Sequence, residues 1–171
     1  LLYNVSVKDY LDATGDKQTA EELWKVIKRQ LDVATPYIQE NGLMDFEKAS
    51  KEWWIFFDWR DGLHREVAFH GVTIYAYKQT YELAKILGKE KEVAHIPGII
   101  KKMTNAVRKH YYDKKTGLFA GLENKQISYS SQVWMIISGV ASKQEAQRAL
   151  IELQTAKDVV RPGTPYAYHY Y

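Results

Sequence analysis

Val67-Ala68-Phe69-His70-Gly71-Val72-Thr73-Ile74-Tyr75-Ala76-Tyr77 contains no fully charged residue, and its helical pattern runs on to Leu87 before Gly88 ends it. A helix that is apolar on every side must be buried on every side. The segments beside it are different. From Asp16 to Gln39, Leu23, Ile27, Leu31, Ala34 and Ile38 fall on one face at helical spacing, with Glu22, Lys25, Arg29 and Asp32 opposite. Pro36 is expected to kink the last turn, and Asn41-Gly42 to stop the chain there. Downstream, about Glu92 to Tyr112 reads as another one-sided helix, with Pro97-Gly98 distorting its beginning. Gln126 to Ser142 is again free of full charge and predicts a short helix around Ser131 to Ser138. Ser142-Lys143-Gln144-Glu145 then fits a capping box and opens a helix with Ala146, Ala149, Leu150 and Leu153 facing inward. Val5 to Leu11 reads as the tail of one more inner helix.

Inner helix, outer helix, loop: the order repeats. Joins from inner to outer are short (Gly15-Asp16, Gly88-Lys89, Val140-Ala141-Ser142), whereas those from outer to inner are long (41–65, 113–129 and 156–165). The reading is all-α: a partial (α/α)6 toroid built from stacked αα-hairpins. A helical solenoid has the same rhythm, but no sequence signature of fixed period supports it. Consecutive inner helices then run the same way, so all long loops lie at one end, together with the partly positive inner-helix N-termini.

That end carries the unusual residues. In Trp53-Trp54-Ile55-Phe56-Phe57-Asp58-Trp59-Arg60-Asp61-Gly62, five of the first seven residues are aromatic and charges stand directly beside them. A core segment would not bury Asp58, Arg60 and Asp61 unpaired, because that costs several kcal/mol. A solvated loop would not expose three Trp and two Phe. The mixture suits a saccharide, whose C–H face stacks on indole while its hydroxyls pair with charged groups.

Composition narrows the classes. At 171 residues the chain can hold one full core, and 46% hydrophobic with 26% charged residues is ordinary for a globular domain. The net charge of +3 is spread over pairs such as Lys101-Lys102, so nucleic acid is not an expected partner. No apolar run reaches the roughly 18 residues of a membrane span. There is no cysteine, hence no disulfide, thiolate metal site or Cys nucleophile. No signal peptide, Ser-nucleophile motif, phosphate-cradling Gly loop or dinucleotide fingerprint occurs. The compartment is left open, periplasmic or secreted placement included. Both ends read as cuts through structured sequence, so residues 1–171 are expected to be part of a six-hairpin catalytic domain truncated at both ends.

Trp54-Ile55-Phe56-Phe57-Asp58-Trp59, the uncharged helix after it, Leu83-Ala84-Lys85-Ile86-Leu87-Gly88, Tyr111-Tyr112-Asp113-Lys114-Lys115-Thr116-Gly117 and Ser130-Ser131-Gln132 together resemble the α-L-rhamnosidases of glycoside hydrolase family 78. Other six-hairpin glycosidases look similar but less close. The resemblance implies an inverting hydrolase with no cofactor or metal, cleaving terminal α-linked L-rhamnose from glycans or glycosides. It also implies a full (α/α)6 barrel of which this chain supplies about half. The family's general acid lies upstream of an early inner helix and its general base downstream; neither motif is found here.

An inverting glycosidase needs two carboxyl groups about 6.5–9.5 Å apart. Within the chain the candidates are Asp58, Asp61, Glu66 and Glu123, with Asp58 and Glu66 the ones carried as weak catalytic candidates. The family parallel favours Asp58 as a ligand of sugar hydroxyls; its plain alternative is an acceptor that fixes a loop or pairs with an arginine. Trp59 and Trp54 could stack on a ring or pack between helices. Gln132 could bond a sugar hydroxyl or a neighbouring backbone group. Arg60, His64 and His169 complete the substrate-binding set. Tyr129 and Trp134 read as packing residues, while Tyr166 to Tyr171 repeats the aromatic and polar mixture at the next inner helix. His64, Glu66 and His70 match no standard metal motif, so no metal is expected.

Two rival functions remain: a non-catalytic helical carbohydrate-binding scaffold, or another toroid glycosidase or polysaccharide lyase. In each, the expected partner is a carbohydrate. The open edges of a half-barrel are expected to be covered by the rest of the parent chain or by self-association.

Overall fold

The computed structural model describes residues 1–123 and 125–170. Its helices are α1 (Leu2–Thr14), α2 (Lys17–Ala34), α3 (Phe46–Glu52), α4 (Glu66–Ile86), α5 (Ile96–Tyr111), α6 (Tyr129–Ile137), α7 (Lys143–Thr155) and α8 (Pro165–Tyr168). Helix α4 lies between α1 and α6, and these three form the inner layer. Outer helices α2, α5 and α7 each pack on the inner helix that precedes them among α1, α4 and α6. The chain is therefore an all-α arc of stacked hairpins, a partial toroid.

Burial follows the sequence periodicity. On α4, Val67, Ala68, Phe69, His70, Gly71, Thr73, Ile74, Ala76 and Tyr77 are all buried. On α2 only one stripe is buried: Ala20, Trp24, Ile27, Leu31 and Ala34. Asp16 caps that helix by accepting the Thr19 N–H at 3.1 Å. Asn4 ties three helices at once, its amide donating to the Ile27 carbonyl at 3.2 Å and to Thr80 Oγ1 at 3.1 Å. The inner helices approach closely at Gly71, where a Cβ would stand 2.8 Å from the Trp134 backbone carbon and Cβ. Only a hydrogen lets α4 and α6 meet there.

The capping box of α7 forms as expected. The Glu145 N–H donates to Ser142 Oγ at 3.3 Å and the Ser142 N–H to Glu145 Oε2 at 2.7 Å. Arg108 of α5 adds a bidentate pair to the same carboxylate at 2.7 and 2.8 Å, and its guanidinium holds Glu145 down to about 2.

Several boundaries differ from expectation. Helix α2 stops at Ala34, because Pro36 converts the next turn, Thr35–Tyr37, into a 3-10 turn. Glu90–Val93 is a separate 3-10 turn, and α5 begins at Ile96 with Pro97 in its first turn, where the missing N–H costs nothing. Helix α1 spans Leu2–Thr14, longer than the expected Val5 to Leu11. Leu150, expected to face inward, is 45% exposed beside Ile151 at 65%. The long loops are also less bare than they read. Residues 41–65 contain α3, capped by Asp45. The other two contribute strands of two residues each: β1 (Tyr112–Asp113), β2 (Leu118–Phe119), β3 (Ile127–Ser128) and β4 (Val159–Val160). β1 pairs antiparallel with β2, and β3 parallel with β4 in the register Ile127↔Val159 and Ser128↔Val160.

Those loops are sewn together at the end where the inner helices begin. Gln126 accepts the His64 N–H at 2.8 Å and donates to the Gly62 carbonyl at 2.8 Å, joining the loop before α4 to the loop before α6. The β3–β4 pair joins the loop before α6 to the loop before α8. Asp58 joins the loops before α4 and α8 directly.

Candidate saccharide site at the loop end

The residues after α3 run extended toward α4 and sort their aromatics by side. Trp53 turns inward, its ring 4.2 Å from Tyr37 and 6.2 Å from Phe69. Trp54 turns outward and is 83% exposed; Trp59 is 71% exposed. Phe56 bridges them, stacked on Trp54 with centroids 5.2 Å apart and tilted against Trp59 at 4.4 Å. Tyr166 of α8 joins from the far end of the chain, 5.9 Å from Phe56. The result is an aromatic wall built from two segments more than a hundred residues apart in sequence. Arg65 braces it from behind, donating from Nη1 to the Ile55 carbonyl at 2.6 Å.

The foot of this wall is shared by the starts of the three inner helices and by α8. Leu2 from α1, Phe56 and Phe57 from the approach to α4, Ser130 and Trp134 from α6, and Tyr166, Ala167 and Tyr170 at α8 line one recess. A neighbouring apolar groove of about 220 Å³ runs from Leu1 and Leu2 past Trp54 and Phe56 to Val72. Ring contacts continue inward from Tyr166 to Tyr170 at 5.7 Å and on to Trp134 at 5.3 Å. The Tyr166 hydroxyl beside it, with partial burial, pushes the Tyr170 hydroxyl up to about 12. It therefore stays a neutral donor at ordinary pH.

The expected site residues fall into three groups. Trp54 and Trp59 form the wall with Phe56, and Arg60 is exposed beside them. His169 is exposed, its ring 5.2 Å from Tyr170. Asp58 and Gln132 lie inside. Gln132 is fully buried and takes the backbone role of its two expected ones: Oε1 accepts the Phe119 N–H at 2.8 Å and Nε2 donates to the Phe119 carbonyl at 2.7 Å. An amide presents one donor and one acceptor side by side, which matches a peptide unit and leaves little for a ligand. Both Asp58 oxygens are occupied as well, accepting the Gly163 N–H and the Thr164 hydroxyl at 2.6 Å each. The sequence missed Phe56 as the bridge and Gly163-Thr164 as acceptors' partners. Thr164 before Pro165 marks a helix start, but nothing local pairs it with residue 58.

His64 and Glu66 lie elsewhere. They line a separate outer cleft of about 590 Å³ with Asn41, Met44, Asp45, Phe46, Tyr111 and Glu123, sharing no lining residue with the recess or the groove. The Tyr111 hydroxyl donates to Glu66 Oε1 at 2.8 Å, and burial, reinforced by that carboxylate, pushes the tyrosine pKa up. Asp61 is exposed. The His64–Glu66–His70 set does not assemble. His70 is fully buried, with Nδ1 on the Glu66 carbonyl at 2.8 Å and Nε2 accepting the Met44 N–H at 2.9 Å. Among the described residues no three His, Asp or Glu side chains gather to hold a metal ion. Tyr129 packs as expected, its hydroxyl donating to the Leu153 carbonyl at 3.0 Å, and Trp134 is buried. Tyr171 lies outside the described residues. Among the described residues no helix is long and apolar enough to cross a membrane.

No protein-family model matches the chain, and no curated protein does. A solved structure does. The rhamnosidase from Klebsiella oxytoca with rhamnose bound matches with a TM-score of 0.88 and 27% identity, over 99% of this chain. The fold is rhamnosidase-like. The chain spans about a third of that enzyme, 32% of its length.

Proposed function

We propose that this chain forms the sugar-gripping arc of a glycoside hydrolase that releases terminal α-linked L-rhamnose from glycans or glycosides. The observation that carries the reading is the wall of Trp54, Phe56, Trp59 and Tyr166, which stands at the end where α1, α4, α6 and α8 begin, in a fold shared with a rhamnosidase. Large aromatics in water cost free energy unless something stacks on them. The apolar face of a deoxysugar, with its methyl group, suits that surface.

The catalytic acid and base come from sequence outside this chain. At the wall, Asp58 spends both oxygens on the backbone and hydroxyl of residues 163–164, while Glu66 and Glu123 line the outer cleft. An inverting mechanism requires two carboxyl groups roughly 6.5–9.5 Å apart and free to act, and Asp58 is held on both oxygens. The remaining hairpins of a six-hairpin toroid close the arc, and their apolar faces cover its two edges.

Hydrolysis of an aryl α-L-rhamnoside by the intact protein tests the reading. Trp59→Ala should lower kcat/KM at least about tenfold by removing a stacking face. The 171-residue chain alone should be inactive. Turnover of other aryl glycosides but not rhamnosides, or full activity of the isolated chain, would refute it.

A further inference from the structure

Asp58 links the two segments that build the aromatic wall, the approach to α4 and the loop before α8. It lies between Phe57, buried against Trp134 at 6.1 Å, and Trp59, which forms the wall. Asp58 is itself buried, and its carboxylate reaches the loop before α8. One oxygen accepts the Gly163 N–H and the other the Thr164 hydroxyl, both at 2.6 Å. Two short bonds to one carboxylate form a charge-assisted pair, stronger than ordinary hydrogen bonds.

Two neighbouring features fit this arrangement. A Cβ on Gly163 would come within 3.0 Å of the Trp59 carbonyl oxygen and 3.2 Å of Arg60 Cβ, so residue 163 lies flat against the backbone that carries the indole. Thr164 is the N-cap of α8, yet its hydroxyl makes no capping bond to that helix. A threonine in that position normally accepts a helix N–H on its side-chain oxygen. Here the one side-chain bond is the hydroxyl's donation to Asp58. Two residues further along, Tyr166 completes the wall against Phe56.

We infer that Asp58 is a positioning residue: its carboxylate latches Gly163-Thr164 to the approach of α4, and this sets Tyr166 and Trp59 on either side of Phe56. The saccharide arm of this inference rests on reading the wall as a sugar platform; the latch itself does not. The inference departs from the expected role of Asp58 as a direct ligand of sugar hydroxyls, since Thr164 becomes as important as Asp58.

The test is a double-mutant cycle in the intact protein with Asp58→Asn, Thr164→Val and the pair, each conservative in shape. Saccharide affinity is measured by calorimetric titration with L-rhamnose. The 19F resonance of 5-fluorotryptophan at position 59 is followed in parallel without sugar. Each single variant should weaken rhamnose binding about tenfold and move the Trp59 line to the same place. The double variant should be little worse than either single, because both remove one unit. If Asp58 touched the sugar itself, Asp58→Asn would weaken binding while Thr164→Val left both readouts unchanged. That result overturns the inference. Additive losses, or an unmoved Trp59 line in both variants, overturn it too. Should the wild-type protein bind no rhamnose, the proposed function fails while the fluorine line still decides the latch.

Discussion

Acid should loosen the start of the loop after α2 through one imidazole. His70 holds the Met44 N–H on Nε2 while its Nδ1–H donates to the Glu66 carbonyl, which requires the neutral ring. Burial pulls its pKa from 6.5 down to about 4, against the opposing effect of the Glu66 carbonyl. The open state takes up a proton near the ordinary value, the closed state only near the lowered one. The stabilisation is therefore complete above the ordinary value, declines as pH falls, and is exhausted around the lowered one. A gap of that size corresponds to about 3 kcal/mol. Amide hydrogen exchange at Met44, corrected for intrinsic rate, should lose about a hundredfold in protection between about pH 7 and about pH 4. In His70→Gln, which keeps an acceptor but does not titrate, protection should start lower and stay flat. Equal slopes in the two proteins would refute the reasoning.

Two further substitutions probe the scaffold. Gly71→Ala puts a methyl group into the Trp134 backbone, and overpacking of that kind should cost about 1–3 kcal/mol, or more if α4 and α6 cannot separate; an unchanged melting temperature would contradict the close approach. Gln132→Leu strands the Phe119 N–H and carbonyl in the interior and should cost about 2–4 kcal/mol in urea unfolding, whereas a loss of sugar binding without a loss of stability would restore the direct-ligand role.

Much of the scaffold was legible because burial leaves a simple trace. The charge-free run Val67 to Tyr77 had to be an inner helix, and the one-sided stripe around Ile27 an outer one. Ser142 and Glu145 announced their own helix start. The site was legible only in part. That Trp54 and Trp59 stand outside and Trp53 inside follows from the path of an extended segment, which the sequence suggested without fixing its phase. The roles of Asp58 and Gln132 depended on partners 105 and 13 residues away, and no local pattern encodes such pairings. His64 and Glu66 sit close to the cluster in sequence, yet the turn into α4 carries them to the outer cleft. Leu150 looked internal by spacing alone, yet it is exposed beside Ile151.

A crystal structure of the intact protein soaked with L-rhamnose is the most direct measurement. The sugar ring should lie about 4 Å from the indole of Trp59 or Trp54, above the recess where α1, α4, α6 and α8 begin. Rhamnose bound instead in the outer cleft beside His64 and Glu66, with the aromatic wall covered by another part of the protein, would contradict it.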